Sequence, residues 1–425
     1  MSESKQPSKV LIVDPVSSGT LYPPILADAG VPVMLLDTGR ALAAGLRSGS
    51  TPGALDFERD FGGDRERLLA HCVAQDVAYV IAGTESGIAL VEYLQEAIPQ
   101  CPANSAGESR KRWDKEFMFS ALKENGVPCL RTQAIAPGTD LSEELISEHS
   151  ASLPAVVKPS TGAGSVGVRM VKDSGELQAA VRSILGAPGF FGDSPSALVQ
   201  ELFPAPQIEY VVDTFSHDGV HEILGLSRYD KRLSAQGDFI YERIQWISPD
   251  GPPASEITRY AEDVLGALGV HVGPSHMEIM YNAHTGPRLI DFGARAHGAG
   301  HPLKTFKLTG VSQIHRECEY VAHKLRNTPL STEGGSYSLP RDGAIIFFSL
   351  DEATRCVTQP DEDALRALPG VHEVMVNARA GEDYPATRSL LDSLDLGLVF
   401  LSARDGKQLD EYGEAVREKF SSFFA

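Results

Sequence analysis

Cysteine is scarce and scattered in this chain. Five occur in 425 residues (Cys72, Cys101, Cys129, Cys318 and Cys356), an odd number without Cys-x-x-Cys spacing. That pattern argues against a disulfide framework or a zinc site and reads as reduced thiols in a cytoplasmic protein. Basic residues are also outnumbered, 38 Lys and Arg against 57 Asp and Glu, for a net charge of −19. A nucleic-acid-binding surface needs a basic stripe, so that class is excluded, although a basic pocket for a phosphate ligand is not. No apolar run is long enough to span a bilayer. Residues 1–8 are polar and lack the apolar centre of a signal peptide. There is no clear internal repeat and no extended low-complexity tract.

At this length one core is not enough, and two or three domains are expected. Short apolar runs at 10–13, 31–36 and 78–82 alternate with helical patterns around 21–29 and 65–74. Such alternation predicts a parallel sheet covered on both faces. The loop after the first run lacks Gly-x-Gly-x-x-Gly, so a dinucleotide site is not supported. Ligands favour the carboxyl ends of parallel strands. Glu85, in the loop after the third run, would face substrate there; the simpler reading is that Thr84 or Ser86 caps a helix. Polar connectors at 99–107 and 328–341 mark the boundaries. The expected domains are 1–104, an N-terminal parallel α/β domain; 105–330, a two-lobed core; and 331–425, a small C-terminal α/β domain.

The most informative segment is 276–301. Two apolar stretches, His276-Met277-Glu278-Ile279-Met280 and Leu289-Ile290-Asp291-Phe292, flank a turn through Gly286-Pro287, and each carries one carboxylate. On neighbouring strands Glu278 and Asp291 would stand side by side. Two hard oxygen ligands, completed by phosphate oxygens and water, make a Mg²⁺ site. Arg295, four residues on, could reach a transferring phosphoryl group. A surface hairpin would use the same residue types, so the remainder of the chain must decide.

Upstream, Lys158 closes a predicted strand and is followed by a loop of small residues through Gly162, Gly164, Ser165 and Gly167. Small residues let backbone N–H groups approach phosphate oxygens. The loop is not a Walker A motif, because no Gly-Lys-Ser/Thr closes it and a strand follows. Lys115 lies early in a helix read over 109–125 and by itself would be a solvated lysine. Glu201 and Leu202 follow a strand, where a hinge can offer backbone groups to an adenine edge. Glu209 opens the next strand, where a carboxylate can accept from ribose hydroxyls.

This order of a helix Lys, a strand-end Lys with a glycine loop, Gln-Glu-Leu, a strand-opening Glu, then paired carboxylates and Arg, resembles the ATP-grasp superfamily over roughly 105–325. Gly273-Pro274-Ser275-His276-Met277-Glu278, Gly286-Pro287-Arg288-Leu289-Ile290-Asp291, Arg295-Ala296-His297-Gly298 and Leu368-Pro369-Gly370-Val371 resemble the carboxylate–amine ligases that join amino acids, the L-amino-acid ligase or bacilysin-synthetase type. The resemblance implies the α/β ATP-grasp fold. It implies that Lys115 and Lys158 bind ATP phosphates under the Gly164–Ser165–Gly167 loop, that Glu201 and Leu202 hold adenine, and that Glu209 holds ribose. Glu278 and Asp291 would hold Mg²⁺, with Mn²⁺ as a substitute, and Arg295 would steady the transferring phosphoryl group.

Two positions depart from the pattern. The second metal carboxylate is usually Glu and here is Asp291. The common Asn stands where this chain has Gly293, which puts a second Mg²⁺ in doubt. Glu242 is a candidate for a substrate ammonium group or the metal. His297 and Gly298 are candidates for the substrate carboxylate, with a structural loop role for His297 equally open. The implied partners are ATP and small amino-acid substrates, with no nucleic acid and no membrane; a homodimer is one assembly open to the chain. The implied reaction joins two L-amino acids through an acyl-phosphate, with phosphoryl transfer relying mostly on position and countercharge. An ATP-grasp ligase or carboxylase of primary metabolism and a non-catalytic nucleotide-binding module are the alternatives.

Overall fold

The computed structural model describes residues 8–43, 49, 51–150, 153–189, 191, 193–234, 237–330 and 336–425. Four short strands near the N-terminus, Lys9–Val13, Val33–Asp37, Leu55–Asp56 and Val77–Ala82, form a wholly parallel sheet. Parallel strands are buried on both faces, which is why Val77–Ala82 is apolar without alternation and buried at every position. The helices Arg65–Ala74 and Ile88–Ala97 cover one face through Leu68, Cys72, Val91 and Leu94. The other face packs on Tyr22 and Leu26 and on Ile314, Cys318 and Val321 of the helix Gln313–Leu325, which comes from much later in the chain. This shared core seats the N-terminal sheet on the rest of the molecule. Buried Arg112 adds a polar tie. Its Nε and Nη2 donate to Glu92 at 2.8 and 2.6 Å, and its Nη1 donates to the Leu268 carbonyl at 2.8 Å.

A smaller antiparallel sheet follows in the spatial order Thr132–Ile135, Ala197–Glu201, Ala155–Pro159, Arg169–Val171. Two-residue alternation sorts its side chains. Ala155, Val157 and Val199 pack with Ile146, Leu177, Val181 and Ile184 of two helices, whereas Val156, Lys158 and Gln200 line a cleft on the opposite face.

The cleft's other wall belongs to an eight-stranded antiparallel sheet, in the order Gly286–Gly293, Gly273–Asn282, Ile208–His217, Val220–Leu233, Phe239–Trp246, Asp342–Phe347, Gly397–Ala403, Val371–Val376. Met277 and Ile279 join the main core with Ile257, Ala261, Val264 and Leu265 of the helix Ala254–Ala267. His276, Glu278 and Met280 therefore face the other way. The segment after 336 supplies the last three strands of this same sheet, through the pairing of Arg243, Ile244 and Gln245 with Ile346, Ile345 and Ala344. Among the described residues no helix is long and apolar enough to cross a membrane.

Candidate active site

Glu278 and Asp291 are direct cross-strand partners in the hairpin of Gly273–Asn282 and Gly286–Gly293, so their carboxylates share one face. Lys115 reaches them from the helix Lys115–Glu124, placed at its first residue by the Asp114 N-cap. The sequence reading ran this helix back to 109; the structure breaks it into a 3₁₀ turn, Ser109–Arg112, before Asp114. Lys115 Nζ lies 3.0 Å from Asp291 Oδ1 and donates to the Gly162 carbonyl at 3.2 Å. Burial pulls the Lys115 ammonium down, but Asp291 and Glu85 reverse this and leave it raised.

Lys158 Nζ donates to the Ile290 carbonyl at 2.9 Å and sits 4.9 Å from the Phe119 ring centre. Among the described residues no carboxylate is in contact with it. Burial dominates, Asp291 offsets it only in part, and Lys158 falls to about 7. A buried ammonium in this position is suited to an anionic ligand that would restore its charge.

Glu209 and Lys231 form a buried pair at 2.6 Å. Burial would lower Lys231, yet Glu209, Tyr241 and Glu278 outweigh it and hold the ammonium charged. Burial and the nearby Glu278 raise Glu209 against the pull of Lys231. For Glu278, burial pushes up, while Lys231, His276 and Lys115 push down harder and keep it ionised. Lys231 was missed in the sequence, where Asp230-Lys231-Arg232 reads as a charged strand end. The available signal was alternation, because Tyr229 stands opposite Glu209 and Lys231 follows two residues later on the same face.

Glu201 and Leu202 line the same cleft as Lys115, Lys158, Glu209, Glu278 and Asp291, and Gly164 and Ser165 edge it. Gly167, with positive φ, packs against Pro159 beside that edge. The Glu201 carboxylate accepts from the Arg131 backbone N–H at 2.9 Å.

Arg295 and Glu85 meet at the end of this charged group. Arg295 Nε donates to Glu85 Oε2 at 2.7 Å and its Nη1 to the Ala296 carbonyl at 3.0 Å. The expected helix cap by Thr84 or Ser86 is not made, since Thr84 forms no side-chain cap bond and Ser86 Oγ donates to Asp14 Oδ2 at 2.5 Å.

Three candidates are not brought to the cleft. Glu242 sits at the irregularity where the strand Phe239–Trp246 pairs with Val220–Leu233, and it pairs with Arg232 at 3.2 Å; its side chain is 39% exposed. His297 is buried. Its Nδ1 donates to Asp213 Oδ2 at 3.0 Å, which leaves Nε2 to accept from the Tyr229 hydroxyl at 2.9 Å. Burial lowers its pKa to about 4, so the imidazole is neutral, as that bond requires. Gly298 belongs to a loop held by Ser17 and Ser18, which accept from the backbone N–H groups of Ala299 and Gly300.

Asp213 also accepts from His276 Nδ1 at 2.9 Å. Burial pulls His276 down, but its bonds to Asp213 and Glu278 push it up to about 9. A charged imidazolium thus backs Glu278, at 3.7 Å. Asp213, His297 and His301 lie close enough to share an ion. With the His297 and His301 rings stacked 3.7 Å apart and Asp213 already accepting two N–H bonds, the group is a hydrogen-bonded brace.

This arrangement of cleft, lysines and paired carboxylates coincides with a family match, the model of the ATP-grasp domain aligning with residues 151–301. The chain contains an ATP-grasp domain. Over 347 residues it is 26% identical to dapdiamide A synthase of Enterobacter agglomerans, covering 82% of this chain and 80% of that one. The ATP-grasp architecture extends beyond the matched residues. The L-amino acid ligase of Bacillus licheniformis superposes with a TM-score of 0.72 at 18% identity, over 97% of this chain and 98% of that one. The carboxyaminoimidazole ribonucleotide synthase of Aspergillus clavatus, solved with ATP, gives 0.66 at 14% identity over 98% and 99%. At such identities these two likenesses establish the fold.

Proposed function

We propose that this ATP-grasp protein is an ATP-dependent carboxylate–amine ligase that joins two L-amino acids. One observation carries the reading. Glu278, Asp291 and Lys115 line the cleft, and the Arg295–Glu85 pair stands close enough to couple to Lys115 and Asp291, where phosphoryl transfer needs countercharge more than covalent chemistry. The named relatives, a dapdiamide A synthase and an L-amino acid ligase, support it.

In this reading Glu201 and Leu202 border the adenine and Glu209 the ribose. Lys115 and Lys158 hold phosphate oxygens, and the small-residue loop through Gly164, Ser165 and Gly167 covers them and keeps water from the reactive product. The paired carboxylates fit a divalent cation, since Glu278 and Asp291 are hard oxygen donors in register beside two ammonium groups that would share the phosphates. Mg²⁺ held there would neutralise charge on the phosphate oxygens.

A substrate carboxylate oxygen attacks the γ-phosphorus, the bond to the β-phosphate oxygen breaks, and ADP leaves. Arg295 steadies the moving phosphoryl group. The amine of the second substrate then forms the C–N bond as the C–O bond to phosphate breaks. The departing phosphate takes up the amine proton.

The test is release of ADP and phosphate over single amino acids and pairs, with products identified by mass. A pair-dependent product lighter than its two amino acids by one water is expected. Turnover that needs bicarbonate and a ribonucleotide amine instead would replace this reading with that of the carboxylase-type neighbours.

A further inference from the structure

A second cavity, of about 350 Å³, lies where the N-terminal sheet meets the ATP-grasp lobes. Arg40 enters it from just beyond the carboxyl end of strand Val33–Asp37. Glu85, Ser86 and Ala89 enter from beyond the carboxyl end of Val77–Ala82, the usual ligand side of a parallel sheet. The opposite wall has Trp113, Thr161 and Gly162.

The cavity adjoins the reaction end of the nucleotide cleft. Gly162 lines both spaces, and its carbonyl accepts from Lys115. Glu85 is bonded to Arg295. Of the cavity's acidic groups, Glu85 is bonded to Arg295 and Asp193 accepts from the Thr161 hydroxyl through Oδ2, its Oδ1 being buried without a hydrogen-bond partner among the described residues. Arg40 differs. Its backbone N–H bonds to Thr38, its side chain is exposed at the mouth, and no partner of its guanidinium is found among the described residues.

We infer that this cavity is the subsite of the amine-donating amino acid, with Arg40 holding its α-carboxylate and the Trp113 and Ala89 walls receiving its side chain. The inference rests on the ligase reading and adds the placement of one substrate. The carboxylate of the first amino acid is consumed at the γ-phosphate, beside Arg295. The carboxylate of the second survives into the product, so it needs a cation outside the reaction centre. A guanidinium stays charged at any working pH and matches a carboxylate in two-point geometry.

The experiment uses the intact protein with ATP and the activated amino acid saturating, and varies the second amino acid against its C-terminal amide. Wild type is expected to prefer the acid. Arg40→Ala should raise KM for the acid by about 10–100-fold, as expected on losing a charge-assisted hydrogen bond, and remove the preference over the amide, with KM for ATP unchanged. Arg40→Lys should restore part. Binding is read separately from turnover. Trp246 is wholly buried and Trp113 is the other of the two tryptophans, so the second amino acid should change the protein's fluorescence, and Trp113→Phe should abolish the change.

If product forms but Arg40→Ala leaves the acid KM and the acid-over-amide ratio intact, the subsite is wrong and the ligase reading stands. A change confined to KM for ATP or for the activated acid also overturns it. If wild type joins no pair of amino acids, the ligase reading fails and this inference fails with it.

Discussion

A Cβ on Gly293 would lie 3.0 Å from Glu85 Oε2, the same oxygen that accepts from Arg295 Nε at 2.7 Å. A side chain at 293 would therefore press on a carboxylate from the N-terminal domain and move it by a few tenths of an ångström. Gly, where the ATP-grasp pattern more often has Asn, leaves that carboxylate undisturbed. The sequence showed only that an oxygen ligand was missing; the structure shows another carboxylate in its neighbourhood.

Gly293→Asn should therefore displace Glu85 from Arg295 and lower turnover by up to roughly 10²-fold, the scale of an ångström-sized misplacement. The loss should not add to that of Glu85→Gln, because both substitutions damage one contact. A double-substitution cycle on kcat checks this, and losses that simply multiply would contradict it.

Glu278→Gln and Asp291→Asn should each abolish turnover, since each removes an anionic donor beside phosphate charge. Arg295→Ala should lower kcat by about 10²–10³ and change KM for ATP much less, because its task arises as the phosphoryl group moves. Arg295→Lys should recover only part. Steady-state phosphate release decides the matter, and full activity in Arg295→Ala would remove Arg295 from the mechanism.

Burial holds Lys158 at about 7, with no carboxylate in contact among the described residues, so at pH 8 it is mostly neutral in the free protein. Phosphate oxygens favour the charged form. ATP binding at pH 8 should then take up about one proton, and at pH 6 almost none. Calorimetric titrations in buffers of different ionisation heat measure this uptake. It should vanish in Lys158→Arg, which is charged throughout; undiminished uptake there would assign the proton elsewhere.

Glu317 is buried between the N-terminal sheet and the core, accepting from the hydroxyls of Tyr22 at 2.5 Å and Tyr79 at 3.1 Å. Burial pushes it up to about 7, against an ordinary 4.5, with the two tyrosines offsetting only part. A raised folded-state value means the protonated form is favoured by folding. The stabilisation is complete below about pH 4.5 and is lost as pH rises through 7, by at most about 1.4 kcal/mol per pH unit. Glu317→Gln should flatten the fall in melting temperature between pH 5 and 7.5. An unchanged slope would show that Glu317 is not its source.

Much of this was legible because it is local. The parallel N-terminal sheet follows from short apolar runs between helical patterns, and the helix Arg65–Ala74 lies where its periodicity placed it. Glu278 and Asp291 stood out because each interrupts an apolar strand on either side of a turn. That they would face each other follows from antiparallel pairing around that turn. Lys158 was visible as a strand-end lysine before a run of small residues.

The tertiary structure decided the rest, because it depends on which distant faces are buried together. Glu85 and Arg295 are 210 residues apart and meet where the N-terminal sheet docks on the rest of the molecule, against the helix Gln313–Leu325 and through the Arg112 and Ser17–Ser18 contacts. Lys231 was missed and Glu242 was not brought to the cleft because strand pairing, not residue type, sets their neighbours: Lys231 meets Glu209, and Glu242, at an irregularity in its ladder, meets Arg232. His297 carried ligand chemistry in its sequence, but Asp213 and Tyr229, on two other strands, take up both ring nitrogens. Sequence determined the donors and the local spacing of this site; docking of its sheets and helices determined which of those donors were left facing a ligand.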